Sequence, residues 1–229
     1  GKELIGFALR TRGVTRPVLG VAWYWTGGAL VSVTIQFFTR DTLYGDETVV
    51  TVLMSLFAIG AAFGAVGASL LSKGRSGLGL SAIGAGVSGV AIFSAFLVSL
   101  GFSAPADGAL QSAPEVFSQT RAQLFAGLLL IGSIATNVYM VPLMAAVQRR
   151  APSEKRSRIL AANNMMNALG AMTGFLLSYI ITQTPLSAAD VFLYLGLAQG
   201  LLAGYMIRRK HRVADGLYDE MLSASPPRS

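Results

Sequence analysis

Cysteine is absent from the 229 residues, histidine occurs once, and charge of either sign is scarce. Without cysteine the chain forms no disulfide and offers no thiolate to a metal, although this leaves its compartment open. Charged residues make up 13% of the chain, where a soluble domain carries roughly a quarter. Hydrophobic residues make up 53%, and the mean hydropathy is +0.57. An ordinary soluble domain is thereby excluded, and the net charge of +7 describes loops at a membrane surface rather than a nucleic-acid face. The start at Gly1 rather than methionine leads us to expect a piece of a longer chain.

What is present is a series of apolar runs, each near the ~20 residues a helix needs to cross a bilayer. Six are expected, at 17–38, 48–71, 78–100, 123–147, 159–182 and 188–207. A membrane barrel would show ~10-residue alternating segments, and none is seen. The domain organisation that follows is a linker at 1–16, a six-helix bundle at 17–207 and a tail at 208–229. The stretch "KELIGFALR" either lies along the membrane surface, with Leu4, Ile5, Ala8 and Leu9 on one face, or is a solvated linker. The tail from Val213 onward is polar and is expected to be mobile.

Lysine and arginine set the direction. Lys2, Arg10, Arg12, Arg16, Lys73, Arg75, Arg149, Arg150, Lys155, Arg156, Arg158, Arg208, Arg209, Lys210 and Arg212 fall in alternate loops and at both ends. The opposite loops hold only Arg40 and Arg121, beside Asp41, Asp46, Glu47, Asp107, Glu115 and Asp190. Both termini are therefore expected in the cytoplasm.

Apart from Asp190 at the edge of the last run, no Asp, Glu, Lys, Arg or His lies inside any of the six runs. Such residues usually mark proton relays and ion paths, so titrating carboxylates within this chain cannot drive transport. Neutral polar groups are present instead. Asn163, Asn164 and Asn167 stand at helical spacing on one broad face, and Asn167 lies roughly 13 Å from Arg158 at ~1.5 Å per residue. An amide facing lipid leaves unpaired groups that cost several kcal/mol. The face must therefore meet protein or a polar cavity, and helix–helix glue is the competing explanation. Gln36, Asn137, Thr136, Tyr139 and Gln199 are further polar groups within the spans. Arg40 and Asp41 stand at the mouth of the first span, where they pair or meet a charged substrate group.

The trio Trp23, Tyr24 and Trp25 is expected to anchor the first span at the interface, and Pro142 to kink the fourth. Gly60, Gly64 and Gly67, followed by Gly84, Gly86 and Ser88, read as small-residue packing faces. His211 and Asp215 approximate the H-x4-D box of membrane acyltransferases, but only three residues separate them. No domain follows to shape a pocket, so we read the chain as no enzyme and expect no cofactor or metal.

Two stretches carry a resemblance. "VLGVAWYWTGGALVSVTIQFFTRDTLYGDETVVTVLMSLFAIGAAFGA" resembles the seventh and eighth helices of lysophospholipid transporters of the major facilitator superfamily. "VPLMAAVQRRAPSEKRSRILAANNMMNALGAM" is similar to the tenth-to-eleventh helix region of the same family. Within them "GDETVV" and "NN..NAL" are the most specific parts, and the likeness spans about residues 1–212. The loop motif of the superfamily is echoed at Gly67–Arg75, with Leu71 or Ser72 where an acidic residue is usual.

The resemblance implies an all-α membrane protein, the C-terminal six-helix half of a facilitator fold. It also implies movement of lysophospholipid across the bacterial inner membrane. The first, second, fourth and fifth helices would line the cavity, with Gln36, Arg40, Asn137, Tyr139, Asn163, Asn164 and Asn167 as substrate-binding residues. Implied partners are the lysophospholipid, membrane lipids, and a missing N-terminal half or a second copy. Half of an exporter for another amphiphile, and a non-transporting scaffold, are the alternatives.

Overall fold

In the computed structural model the described residues are 5–6, 10, 13–72, 78–106 and 108–223. Most of "KELIGFALR", the loop at 73–77 and the last six residues lie outside them. The regular secondary structure of the described residues is helical, joined by turns and loops, with one isolated bridge between Gly45 and Gln111.

The helices are α1 (Thr15–Asp41), α2 (Glu47–Leu71), α3 (Leu78–Ser99), the short α4 (Ala113–Val116), α5 (Thr120–Arg150), α6 (Arg156–Thr182) and α7 (Ala188–Ser223). Six of them are long and apolar enough to cross a membrane. The expected runs therefore hold, with helical ends extended by charged or polar turns. The largest extension is in α7, which continues as helix through Ser223, past the expected end at 207. Pro142 is buried within α5, and the helix runs on through it to Arg150.

α5 packs along α2 and α3, with a lighter contact to α1. α3 also packs along α7, and α6 is held chiefly by α1. Close approach at glycine makes these pairings. A side-chain carbon on Gly60 would lie 2.8 Å from Ser133 Cβ and 2.9 Å from the Leu130 carbonyl oxygen, and one on Gly64 would lie 2.8 Å from Asn137 Cβ. Gly84 meets the Tyr139 backbone nitrogen in the same way, at 2.5 Å. The small-residue faces thus lie against α5, as expected where no hydrophobic force separates helix from lipid. Gly86 instead faces Ala203 of α7 at 3.7 Å, and Gly67 has nothing within 4 Å of its would-be side chain.

Three apolar clusters fill the bundle. At the end carrying residues 101–119, Phe38 stacks on Phe125 at 4.5 Å and meets Phe192 edge-on at 5.1 Å. At the opposite end Val14, Val18, Val147 and Ile159 pack together. Between them Val21, Ala85, Tyr139, Leu143 and Ala203 form the third.

The long loop is tied down by the "GDETVV" segment. Asp46 caps α2, accepting from the Thr48 N–H at 2.9 Å and from the Thr48 hydroxyl at 2.5 Å. That hydroxyl oxygen accepts in turn from the Ala113 N–H at 2.9 Å. The Asp46 N–H donates to the Gln111 carbonyl, and the Gln111 N–H to the carbonyl of Tyr44, which sits at φ 52 in the left-handed region. The Thr48 hydroxyl, more than its N–H, holds the Asp46 carboxyl below the usual aspartate range. A depressed carboxylate contributes stability above its unfolded pKa and loses it as pH falls through the folded one. Asp46→Ala should therefore melt below the parent at neutral pH, and the gap should narrow as the pH falls through and below the usual aspartate range.

Candidate functional site

Three consecutive residues of α1 organise the polar groups. At ~100° per residue, neighbours on a helix point toward different partners. Trp23 Nε1 donates to Gln199 Oε1 on α7 at 2.8 Å. The Tyr24 hydroxyl donates to Asn137 Oδ1 on α5 at 3.0 Å. Trp25 turns to α6: with the Asn167 amide set to satisfy its neighbours, its oxygen accepts from Trp25 Nε1 at 3.3 Å. The trio expected to anchor the chain at an interface is thus a hub, and Tyr24 and Trp25 meet edge-on at 5.7 Å.

Two polar clusters follow. The first is internal. Gln199 Nε2 donates to Ser88 Oγ at 3.5 Å, and Ser88 Oγ lies 2.6 Å from Thr136 Oγ1. Asn137 Nδ2 donates to the Ser133 carbonyl at 3.0 Å. Of these residues Gln199, Thr136, Asn137 and Ser133, with Trp23, Tyr24, Phe57 and Phe192, line a cavity of about 40 Å3. A water needs roughly 10–15 Å3 of such space, so the cavity accommodates a few waters at most and no lysolipid. Helices α1, α2, α3, α5 and α7 all contribute to it.

The second cluster lies between α1, α5 and α6. Asn163 is fully buried, and its Nδ2 lies 3.1 Å from the Asn167 oxygen and 3.7 Å from Met144 Sδ. Asn163 Oδ1 is buried without a hydrogen-bond partner among the described residues. Asn167 is half-buried, and Asn164, one residue round the helix from Asn163, is exposed.

The remaining expected site residues separate. Asn167 does not line the cavity that Asn137 lines, so the two amides occupy different clusters. The three asparagines do not act as one face, since Asn164 turns away from buried Asn163. Tyr139 is fully buried, and its hydroxyl donates to the Gly20 carbonyl at 2.7 Å, joining α5 to α1. Gln36 and Arg40 are exposed near the 101–119 end of α1, away from both clusters. Among the described residues no group of three or more His, Asp or Glu is placed to hold a metal.

No family model, curated protein or solved structure matches this chain. Its chemistry is therefore read from its own geometry. Two neutral hydrogen-bonding clusters, rich in amides and indoles, sit inside a bundle whose spans carry no charge away from their ends. Such groups suit a neutral or zwitterionic polar group and cannot exchange protons near neutral pH. Gln199 and Trp23, which the expected site residues did not include, are as central to the first cluster as Asn137.

Proposed function

We propose that the chain is one six-helix half of a transporter for an amphiphilic lipid, of the lysophospholipid type within the major facilitator superfamily. The observation that carries this reading is the uneven burial of the six spans. In the most apolar windows only 17% of the α6 span and 22% of the α2 span are buried, against 44% for α1, α3 and α5. α2 and α6 are the second and fifth spans, which the resemblance assigns to a central cavity. The exposed amide of Asn164 on α6, about 12 Å from the start of that helix at ~1.5 Å per residue, needs protein or water opposite it. A partner half across that face would supply both. On this reading the apolar walls accommodate the tail of a lysolipid, while Asn164 and Asn167 receive its head group.

Transport is the decisive test. Asn167→Leu, placed in the complete transporter, should cut uptake of fluorescent lysophosphatidylethanolamine at least tenfold while the protein remains folded in the membrane. Unchanged uptake with a lowered melting temperature would make Asn167 helix glue and remove it from the substrate path. The 229-residue chain alone, reconstituted as a monomer, should not move the lipid between leaflets faster than protein-free liposomes do. Flipping by such a monomer would sink the half-transporter reading.

The same reading places the termini and the 149–158 loop in the cytoplasm of a bacterial cell. Because native cysteine is absent, single cysteines report without background. Exposed Ser103 and Ser153 are the sites to use. An impermeant maleimide added to intact cells should label Ser103→Cys and leave Ser153→Cys unlabelled. The opposite pattern reverses the topology.

A further inference from the structure

At the 101–119 end, where the last turn of α3 meets the first turn of α5, the surface holds an open groove of about 640 Å3. That is within the ~300–1,000 Å3 of small-molecule sites. Its walls are apolar: Leu97, Leu100 and Leu124 line it and are 52%, 65% and 54% exposed. Its rim is polar and basic, formed by Thr120, Arg121 and Gly101. Arg121 Nη1 donates to the Gly101 carbonyl. That bond fixes the guanidinium at the mouth and takes one of its five N–H donors. Among the described residues no carboxylate lines the groove.

We infer that this groove binds one anionic glycerophospholipid, its phosphate on Arg121 and an acyl chain along Leu97, Leu100 and Leu124. The chemistry follows the vertical order of the groups. α3 and α5 are both long enough to span a membrane, and Arg121 is the second residue of α5. The guanidinium is thus at the level where a span leaves the hydrocarbon, which is the level of lipid phosphates. Leu124 is one turn deeper, alongside Leu97 of α3. A planar guanidinium pairs with a phosphodiester through charge-assisted hydrogen bonds. An ammonium head group would bring a second cation beside Arg121, and no carboxylate among the described lining residues receives it. An anionic head therefore binds better than a zwitterionic one. This site does not depend on the transport reading, only on the spans crossing a bilayer.

The test is native mass spectrometry of the purified chain, released from detergent micelles that contain equal phosphatidylglycerol and phosphatidylethanolamine. The parent should retain one phosphatidylglycerol in preference to phosphatidylethanolamine. Arg121→Gln should lower that preference about tenfold, the loss of one charge-assisted contact. Arg121→Lys should keep part of it, and Arg40→Gln, a charge change at the same end, should leave it unchanged. Leu124→Trp, which fills the groove, should reduce retention of both lipids. Circular dichroism of each variant separates loss of lipid from loss of fold. If Arg121→Gln disturbs the loop, Arg121→Lys and Leu124→Trp decide the matter. Equal retention of the two lipids by the parent, a preference that survives Arg121→Gln, or unchanged retention in Leu124→Trp would overturn the assignment.

Discussion

Gly174→Leu should detach α6 from α1 and cost about 3 kcal/mol or more, the upper range for overpacking. A side-chain carbon at Gly174 would lie 2.9 Å from Ala29 Cβ and 3.1 Å from the Leu30 nitrogen, and it would press on the Thr26 carbonyl. Two of those three neighbours are backbone, which cannot rotate aside as a side chain can. Gly170 makes the same close approach to the Ala22 carbonyl, so both small residues of the pair seat α6 on α1. α6 has little else to hold it, since α1 is its chief contact. Gly67→Leu is the matched control, because its new side chain would meet nothing within 4 Å. We expect the control to melt within about 0.5 kcal/mol of the parent in detergent. Equal destabilisation by both variants would mean that glycine serves these helices through something other than close approach.

The second large effect is expected at the Trp23–Gln199 bond. Gln199 is 3% exposed, so its amide has no recourse to solvent when a partner is removed. Trp23→Phe leaves Gln199 Oε1 unpaired, and Gln199→Leu leaves the indole N–H unpaired. An orphaned buried group costs about 1–3 kcal/mol. The double variant removes both partners together, and its loss should fall short of the sum of the single losses by about 1 kcal/mol or more. Thermal unfolding of the four proteins gives the coupling directly. Strict additivity would show that the two side chains do not act on one another.

The two bonds also show what could be read along the chain and what could not. Span positions follow from hydropathy and length, which are local properties, and every helix end was legible to within three residues except the far end of α7. Gly60 and Gly64 were legible too, because i, i+4 spacing fixes which residues share a face whatever the partner. Gly67 was not, because the same spacing does not say where the partner helix diverges. The Trp23–Gln199 and Tyr24–Asn137 bonds join residues 176 and 113 positions apart. Depth rules assign tryptophan and tyrosine to an interface by distance along one helix, and they know nothing of a glutamine six helices away. Tyr139 was expected to bind substrate because the resemblance puts its helix beside the cavity. On a helix, two residues from Asn137 is ~200°, and the Tyr139 hydroxyl reaches Gly20 rather than the cavity.

The fan formed by Trp23, Tyr24 and Trp25 constrains motion. α1 cannot roll about its own axis without breaking bonds to α7, α5 and α6 in the same movement. Any tilt of α1 is handed on to three neighbours, and through α5 to α2 and α3. A displacement of α1 at this level therefore strains hydrogen bonds to three neighbours at once, each worth about 1 kcal/mol.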